Sequence, residues 1–226
     1  MKKGKDMKPI IALNLKAYKE SVGMGAETFC QIAAEVSLLY DVRIIVAPQH
    51  VDLRRAAEIH SDIFAQHMDP VLSGPFTGKI SIEALKDAKV KGSLLNHSEY
   101  RLSEEAIAKS VELLKNAGLQ SIVCSKDAAE SASLAKYLPD YIAVEPPELI
   151  GSGISVSTAK PEVITQTIDA VKEVADIPVL CGAGISNGRD VKRAIELGAS
   201  GVLLASAFVK AGNPKELLIE MVEALM

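Results

Sequence analysis

Three side chains that can take part in proton transfer follow three separate apolar runs of this sequence. Lys16 comes after IIALNL, His97 comes after SLLN and Glu145 comes after YIAV. Short continuous apolar runs predict buried strands, so all three side chains are expected at strand ends. A cation, an imidazole and a carboxylate that meet at one place form a proton-transfer site, in which the carboxylate is the natural base.

Each of these residues also has an ordinary interpretation when it is considered alone. Lys16 is one of 25 lysines and arginines, most of which are expected in water. His97 is compatible with a partly buried histidine bonded to a backbone carbonyl. Glu145 is compatible with a solvated acid in a surface turn, and Asn14 with a residue that closes a strand. The combination of residues, and no single one of them, indicates catalysis.

Two further stretches have the composition of a phosphate site. Gly182-Ala183-Gly184 follows a predicted strand and precedes a predicted helix, and Ala205-Ser206 opens another helical turn. Backbone N–H groups are exposed where a helix begins, and they bind phosphate there. Small residues selected only for tight turns give the same pattern, and the sequence leaves this alternative open. The candidate phosphate-binding residues are Gly182, Gly184, Ala205 and Ser206.

Eight strand-like runs alternate with eight helical runs along the chain. The strand-like runs are continuously apolar, which is typical of parallel strands covered on both faces. The helical runs carry a 3.6-residue apolar stripe, for example Ile164, Ile168 and Val171. Eight such units without a Pro- or Ser-rich linker predict a single (β/α)8 barrel domain over residues 1–226, with its chemistry at the C-terminal ends of the strands. A doubly wound open sheet is the main alternative, but no Gly-rich fingerprint follows the first strand.

Local signals predict where several helices begin and end. Asn187 and Asp190 resemble an N-cap residue and its acidic partner three positions later. Gly118 and Gly198 are typical of the glycine that follows the last turn of a helix. The short run Ala143 to Glu145 leads into Pro146-Pro147 and then, after a few residues, into Gly151-Ser152-Gly153. The prolines restrict the backbone at the start of this segment, and the glycines leave it free at the end. This pattern predicts a lid that moves while the carboxylate stays in place.

Composition excludes several classes of function. The 25 basic and 29 acidic residues give a net charge of −4, and the chain has no Trp, so nothing favours nucleic-acid or membrane binding. The three cysteines show no paired spacing, which argues for a reducing compartment and against a structural zinc site. We therefore expect a cytoplasmic protein without a metal or a cofactor. The basic start, residues 1–8, has no apolar region after it and is expected to be a frayed terminus.

Six motifs occur in a fixed order: Asn14-Leu15-Lys16, Gly74-Pro75-Phe76-Thr77-Gly78, Asn96-His97-Ser98-Glu99, AVEPPELIGSG at 143–153, CGAGIS at 181–186 and LLAS at 203–206. With this set the chain resembles the triosephosphate isomerase family, in the short form found in archaea, over essentially its whole length. The resemblance implies interconversion of dihydroxyacetone phosphate and D-glyceraldehyde 3-phosphate, in glycolysis and gluconeogenesis.

The resemblance also implies a role for each candidate residue. Glu145 corresponds to the general base, His97 to a neutral electrophile and Lys16 to the cation that stabilises the enediolate. Asn14 corresponds to a residue that positions the substrate. Glu99 corresponds to an acid that pairs with the lysine without touching the substrate.

Further implications of the resemblance concern the lid, the phosphate and the assembly. Ile150 and Gly151 correspond to the part of the lid that closes over the phosphate. Thr77 corresponds to the tip of a loop that reaches into a neighbouring subunit, which implies a homo-oligomer, either a dimer or a tetramer.

Cys181 departs from the longer members, which have a lid-latching tyrosine there. Ala205-Ser206 stands where they have Gly-Gly, and binding through backbone N–H groups is expected to survive both changes.

Two other functions stay open on the residues alone. Another phosphate-binding barrel, acting on a phosphorylated biosynthetic intermediate, fits the glycine loop equally well but leaves Asn96 to Glu99 unexplained. A barrel that only binds a metabolite or partner has no need of an intact set of Lys16, His97 and Glu145, yet all three are present.

Overall fold

The structure is a computed structural model that describes residues 8–146 and 155–226. Most of the expected frayed terminus, residues 1–7, lies outside the described residues. The segment 147–154 also lies outside them, and with it the predicted lid residues Ile150 and Gly151.

Eight short parallel strands form the centre of the molecule. They are β1 (Ile10–Asn14), β2 (Arg43–Ala47), β3 (Phe64–Ala65), β4 (Gly92–Leu95), β5 (Gln120–Ser125), β6 (Tyr141–Val144), β7 (Val179–Gly182) and β8 (Gly201–Leu204). The sheet order is β2-β1-β8-β7-β6-β5-β4-β3, and a parallel bridge between Val46 and Ile63 closes the circle. The predicted (β/α)8 barrel is confirmed.

The helices surround this barrel. They are α1 (Met24–Tyr40), α2 (Leu53–Ile59), α3 (Ile82–Asp87), α4 (Glu104–Asn116), α5 (Ala128–Ala135), α6 (Val156–Ala159), α7 (Pro161–Lys172), α8 (Gly188–Glu196), α9 (Ser206–Val209) and α10 (Pro214–Glu223). In the described part of the chain, no helix combines the length and the apolar composition needed to cross a bilayer. The sequence did not predict α6, because its four residues are too few to show a helical period.

The predicted helix ends have the expected geometry. The side chain of Asn187 accepts a hydrogen bond from the backbone N–H of Asp190 at 3.0 Å, which caps α8. Gly118 and Gly198 follow α4 and α8 with φ angles of 71° and 95°, a left-handed conformation that only glycine adopts without strain. These caps set where each helix ends and therefore where the next strand begins.

Alternate residues of each strand pack into two separate hydrophobic layers. Inside the barrel, residues such as Ile10, Ala12 and Leu180 pack against one another. Between the strands and the helices, residues such as Ile11 and Leu13 pack into a larger layer. Both faces of every strand are therefore buried, which explains why the strands appear as continuous apolar runs in the sequence.

The N-terminal end of the barrel is closed by one guanidinium. Arg43 donates to Asp62 at 2.7 Å, to Gln120 at 2.6 Å and to the hydroxyl of Tyr141 at 3.1 Å. These partners belong to β5, β6 and the turn before β3, so Arg43 links β2 to strands across the barrel. With this end closed by packing and hydrogen bonds, the opposite end is the one available for chemistry.

Gly201 gives a direct test of the β1–β8 junction. Its φ is 150°, and a Cβ built on it would lie 2.2 Å from the carbonyl oxygen of Ile10, a backbone atom that cannot yield easily. We expect Gly201→Ala to lower the free energy of unfolding by about 2–4 kcal/mol, in the range for overpacking plus backbone strain. Denaturant unfolding measures this change.

Gly212→Ala is the matched control for this substitution. Nothing lies within 4 Å of a Cβ at Gly212, and its φ is not in the left-handed region. We expect a change within about 0.5 kcal/mol, as for surface substitutions in general. Equal effects of the two substitutions would contradict the described closure of the barrel.

Candidate active site

A cavity of about 370 Å³ opens at the C-terminal end of the barrel. The ends of β1, β4, β6, β7 and β8 surround it, because all strands of a parallel barrel point the same way. It is lined by Asn14, Lys16, Tyr18, His97, Glu145, Ala183, Gly184, Ile185, Ser186, Leu203, Leu204, Ala205, Ser206, Ala207 and Lys210. The three proton-transfer candidates, far apart in sequence, therefore face one cavity.

Lys16 is held by backbone and side-chain contacts on several sides. Its backbone has a φ of 50°, so the chain leaves the extended conformation just after β1. Oδ1 of Asn14 accepts from the Lys16 N–H at 3.0 Å, and the Lys16 carbonyl accepts from Gln66 at 3.0 Å. The ammonium donates to Glu99 at 2.8 Å, and only 14 % of the lysine side chain is exposed.

His97 is held in a turn between β4 and α4. The neighbouring Asn96 is buried and bonds the carbonyl of Cys124 and the N–H of Leu102, which anchors the start of this turn. Nδ1 of His97 accepts a hydrogen bond from the backbone N–H of Glu99 at 3.2 Å. This bond uses the lone pair of Nδ1, which is the arrangement of an imidazole that carries its proton on Nε2. Helix α4 begins only at Glu104, so the N–H that meets Nδ1 belongs to the turn and not to a helix.

Glu145 presents a buried carboxylate to His97. The residue is 7 % exposed, and its N–H donates to the carbonyl of Ser125 at 2.8 Å, which fixes the backbone at the end of β6. Oε2 is buried, has no hydrogen-bond partner among residues 8–146 and 155–226, and lies 3.6 Å from Nε2 of His97. This separation exceeds a hydrogen bond, so the carboxylate oxygen is available to a substrate that enters the cavity.

Gly182 makes room for this carboxylate. A Cβ at Gly182 would lie 2.4 Å from Cγ of Glu145, so no other residue fits at the end of β7 without moving the glutamate. Gly182 does not line the cavity, in contrast to Ala183 and Gly184, which follow it. The structure therefore places the expected phosphate ligand Gly182 against the base, and places the next three residues on the substrate side.

The turn after β7 and the start of α9 present backbone N–H groups to the cavity. Ala183 and Gly184 have φ angles of 70° and 71°, a left-handed pair. In the described part of the chain, the N–H groups of Gly184 and Ile185 have no acceptor, and neither has that of Ser206 at the start of α9. Unpaired N–H groups that line a cavity are suited to bind an anion.

The three cysteines are free, buried thiols, which agrees with their unpaired spacing in the sequence. Burial raises the pKa of Cys30 to about 12, and the carboxylates of Asp52 and Glu27 contribute to this rise. Burial also raises the pKa of Cys124 and of Cys181 well above the ordinary range, and Glu145 adds to both shifts. The thiols are protonated and buried, so they are not nucleophiles of this site.

Some residues of the site gave no usable signal in the sequence. Tyr18, Ile185, Ala207 and Lys210 line the cavity but were not predicted. The ammonium of Lys210 lies 4.5 Å from the ring centroid of Tyr18. Lys210 follows Ser206 by four residues, about one helical turn, and this spacing was the available signal for it in the sequence. Among residues 8–146 and 155–226, no group of three His, Cys, Asp or Glu side chains has the arrangement of a metal site.

Comparisons with known proteins agree with this geometry. The family model described as triosephosphate isomerase matches residues 9–225. A triosephosphate isomerase of Methanothermus fervidus is 51 % identical over 95 % of this chain and 98 % of its own length. Proteins of the same name from Methanocaldococcus jannaschii and Methanothermobacter thermautotrophicus are 49 % and 46 % identical, each over 95 % of this chain and over 99 % and 94 % of their own lengths. These relatives are archaeal and of similar length, and the chain belongs to the triosephosphate isomerase family.

Proposed function

We propose that this chain interconverts dihydroxyacetone phosphate and D-glyceraldehyde 3-phosphate with Glu145 as the base, His97 as the electrophile and Lys16 as the stabilising cation. The reaction moves one proton between two carbon atoms and needs only side chains of the chain itself. One observation carries the assignment of roles: the unpaired Oε2 of Glu145 lies 3.6 Å from a neutral His97 whose proton is on Nε2.

The forward reaction follows from these positions. Glu145 takes a proton from C1 of dihydroxyacetone phosphate, and the C–H electrons form the C1–C2 double bond while the C2 oxygen becomes negatively charged. Nε2–H of His97 donates to this oxygen, and the ammonium of Lys16 stabilises its charge. A proton then moves from the C1 oxygen to the C2 oxygen through His97. Glu145 returns its proton to C2, which gives the aldehyde and restores the carboxylate.

A neutral histidine suits this role better than a charged one. The imidazole must donate a proton to an oxygen and recover it within one turnover, so its acidity has to match that of the enediol. Catalysis by a neutral histidine is a known feature of the triosephosphate isomerase family, so the general principle is not new to this chain. In this chain the hydrogen bond from the Glu99 N–H to Nδ1 leaves Nε2 as the ring nitrogen that donates.

The phosphate end of the substrate lies against the turn after β7 and the start of α9. Gly184, Ala205 and Ser206 contribute backbone groups there, and Asn14 borders the same cavity beside Lys16. Gly182 contributes by leaving room for Glu145 and not by contact with the phosphate. Ile150 and Gly151, the remaining expected substrate contacts, lie outside the described residues.

Substitution of Glu145 tests the assigned base. Glu145→Gln keeps the shape and removes the basic oxygen, so we expect kcat to fall by about 10³-fold, within the range for general base catalysis. A coupled assay that follows formation of dihydroxyacetone phosphate measures the change. Glu83→Gln, on the exposed face of α3, is the matched control and is expected to keep full activity. Turnover left intact in Glu145→Gln would remove Glu145 from its role.

The assembly we propose is a homo-oligomer in which the Thr77 loop docks on a second subunit. Residues 72–79 are exposed, and the loop carries two apolar side chains, Leu72 and Phe76, that are 57 % and 47 % exposed. A second cavity of about 480 Å³ lies beside Lys16 and Glu99 and is large enough to receive a loop tip. Burial of this apolar surface favours association.

A charge at the loop tip tests the interface. We expect Thr77→Arg to dissociate the oligomer, because a guanidinium would be buried without a partner. Sedimentation velocity gives the mass of each form. Gln166→Arg, on the exposed surface of α7, is the control and is expected to leave the mass unchanged. A monomeric parent protein, or an oligomer insensitive to Thr77→Arg, would overturn the proposed interface.

Two further assignments belong to the proposal. The described strands form one closed sheet, which supports a single domain over residues 1–226. The three cysteines are buried free thiols, which supports a reducing compartment such as the cytoplasm.

A further inference from the structure

Asp190 is a buried acid beside the surface that binds the anionic end of the substrate. It lies in the first turn of α8, is 8 % exposed and follows the turn of residues 183–186 that lines the cavity. A buried carboxylate loses its hydration, and a negative charge near a phosphate opposes binding of that phosphate. An acid at this position therefore needs a compensating role.

The hydrogen bonds of Asp190 indicate what that role is. Its Oδ2 accepts from the backbone N–H of Ser186 at 2.9 Å and from the hydroxyl of Ser186 at 2.9 Å. Its own N–H donates to the N-cap side chain of Asn187 at 3.0 Å, and its carbonyl accepts from the hydroxyl of Ser157 at 3.1 Å. We call this set of contacts the Asp190 clamp.

The clamp differs from an ordinary helix cap. In a capping box the acid at the third helical position accepts from the N–H of the N-cap residue, here Asn187. Asp190 reaches one residue further back and accepts from Ser186, outside the helix. Its carboxylate therefore holds the turn before α8 and not the start of α8 itself.

The turn needs such a restraint because its backbone is strained. Ala183 has a φ of 70°, which costs a residue with a Cβ about 1 kcal/mol. Gly184 repeats the left-handed conformation, and glycine tolerates it. The clamp engages the N–H of Ser186, whereas those of Gly184 and Ile185 have no acceptor in the described part of the chain. The clamp thus leaves two neighbouring N–H groups, held by a fixed turn, for the phosphate.

A second helix, α6, also holds this turn. Besides the bond from Ser157 to Asp190, the N–H of Val156 donates to the carbonyl of Ala183 at 3.3 Å. The hydroxyls of Ser155 and Ser157 lie 2.7 Å apart and are buried. The turn is therefore held from the α8 side by the Asp190 carboxylate and from the α6 side by the Val156 N–H, while the Asp190 carbonyl links α8 to α6.

We propose that Asp190 is a positioning residue for the substrate phosphate, which acts by holding the turn 183–186 in the geometry that presents the Gly184 and Ile185 N–H groups. This inference rests on the proposed function, because it assigns a residue to the phosphate end of the same site. Asp190 itself does not touch the substrate. Loss of the Asp190 side chain should weaken binding of the substrate phosphate and leave the proton-transfer groups intact.

A comparison of two substrates separates this role from a general structural one. D-Glyceraldehyde 3-phosphate carries the phosphate, and D-glyceraldehyde lacks it but has the same reacting carbons. We expect Asp190→Ala to lower kcat/KM for the phosphorylated substrate by about 30-fold, because the turn loses two hydrogen bonds to a charged acceptor. Asp190→Asn and Ser186→Ala, which each retain part of the clamp, should lower it about fivefold. For D-glyceraldehyde we expect less than about a twofold change, because no phosphate contact contributes to its turnover.

Binding of inorganic phosphate gives a second readout. The inhibition constant of phosphate should rise in the same order, Ser186→Ala and Asp190→Asn before Asp190→Ala, in step with kcat/KM. Asp169→Asn, an exposed acid on α7, is the matched control and is expected to leave both substrates and the phosphate constant unchanged. Thermal unfolding of each variant shows whether it is folded at the assay temperature.

The outcomes separate the inference from the proposed function. Absence of isomerase turnover in the unsubstituted protein would contradict the proposed function. Turnover in that protein, with equal losses on both substrates in Asp190→Asn, would overturn the role of Asp190 alone. An unchanged phosphate inhibition constant in Asp190→Asn and Ser186→Ala would also overturn it.

Discussion

Closure of the parallel sheet is the constraint on which the rest of this structure depends. β1 pairs with β2 on one side and with β8 on the other, and the bridge from Val46 to Ile63 completes the circle. Only a closed parallel barrel brings Lys16, His97 and Glu145, which lie on three distant strands, to one mouth. Packing inside the barrel and Arg43 at its other end leave this mouth as the available cavity.

The site buries a polar side chain, Glu145, and this burial lowers the stability of the fold. Glu145 has one buried oxygen without a partner in the part of the chain that the structure describes, and an unsatisfied polar atom costs about 1–3 kcal/mol. The fold tolerates this cost because Gly182 leaves space, Ser125 fixes the backbone and the surrounding core is large. A carboxylate oxygen without a hydrogen-bond partner is also free to accept a proton from carbon. The stability lost at Glu145 is therefore linked to the chemistry that we assign to it.

Much of the barrel was predictable from the sequence, because continuous apolar runs and helix caps are local signals. The eight strand-like runs form the eight strands of the barrel, and Asn187 caps α8 as expected. The details of the site were less accessible. The hydrogen bond from Gln66 to the Lys16 carbonyl and the contact of Gly182 with Glu145 depend on neighbours far along the chain. The bond from the Glu99 N–H to His97 is local, but it depends on the conformation of the turn after β4. Nothing in the sequence alone shows that Asp190 reaches past its own helix to Ser186.

Isomerisation in D2O tests the central claim most directly. If Glu145 moves a proton between the two carbons through an enediolate, the unsubstituted protein will convert D-glyceraldehyde 3-phosphate to dihydroxyacetone phosphate with deuterium at C1. This label arises because a carboxylic acid exchanges its proton with solvent between the two transfers. Proton NMR of the product measures the label. Conversion without any deuterium would indicate a direct hydride shift between the carbons, and it would contradict this mechanism, as would a protein that gives no conversion.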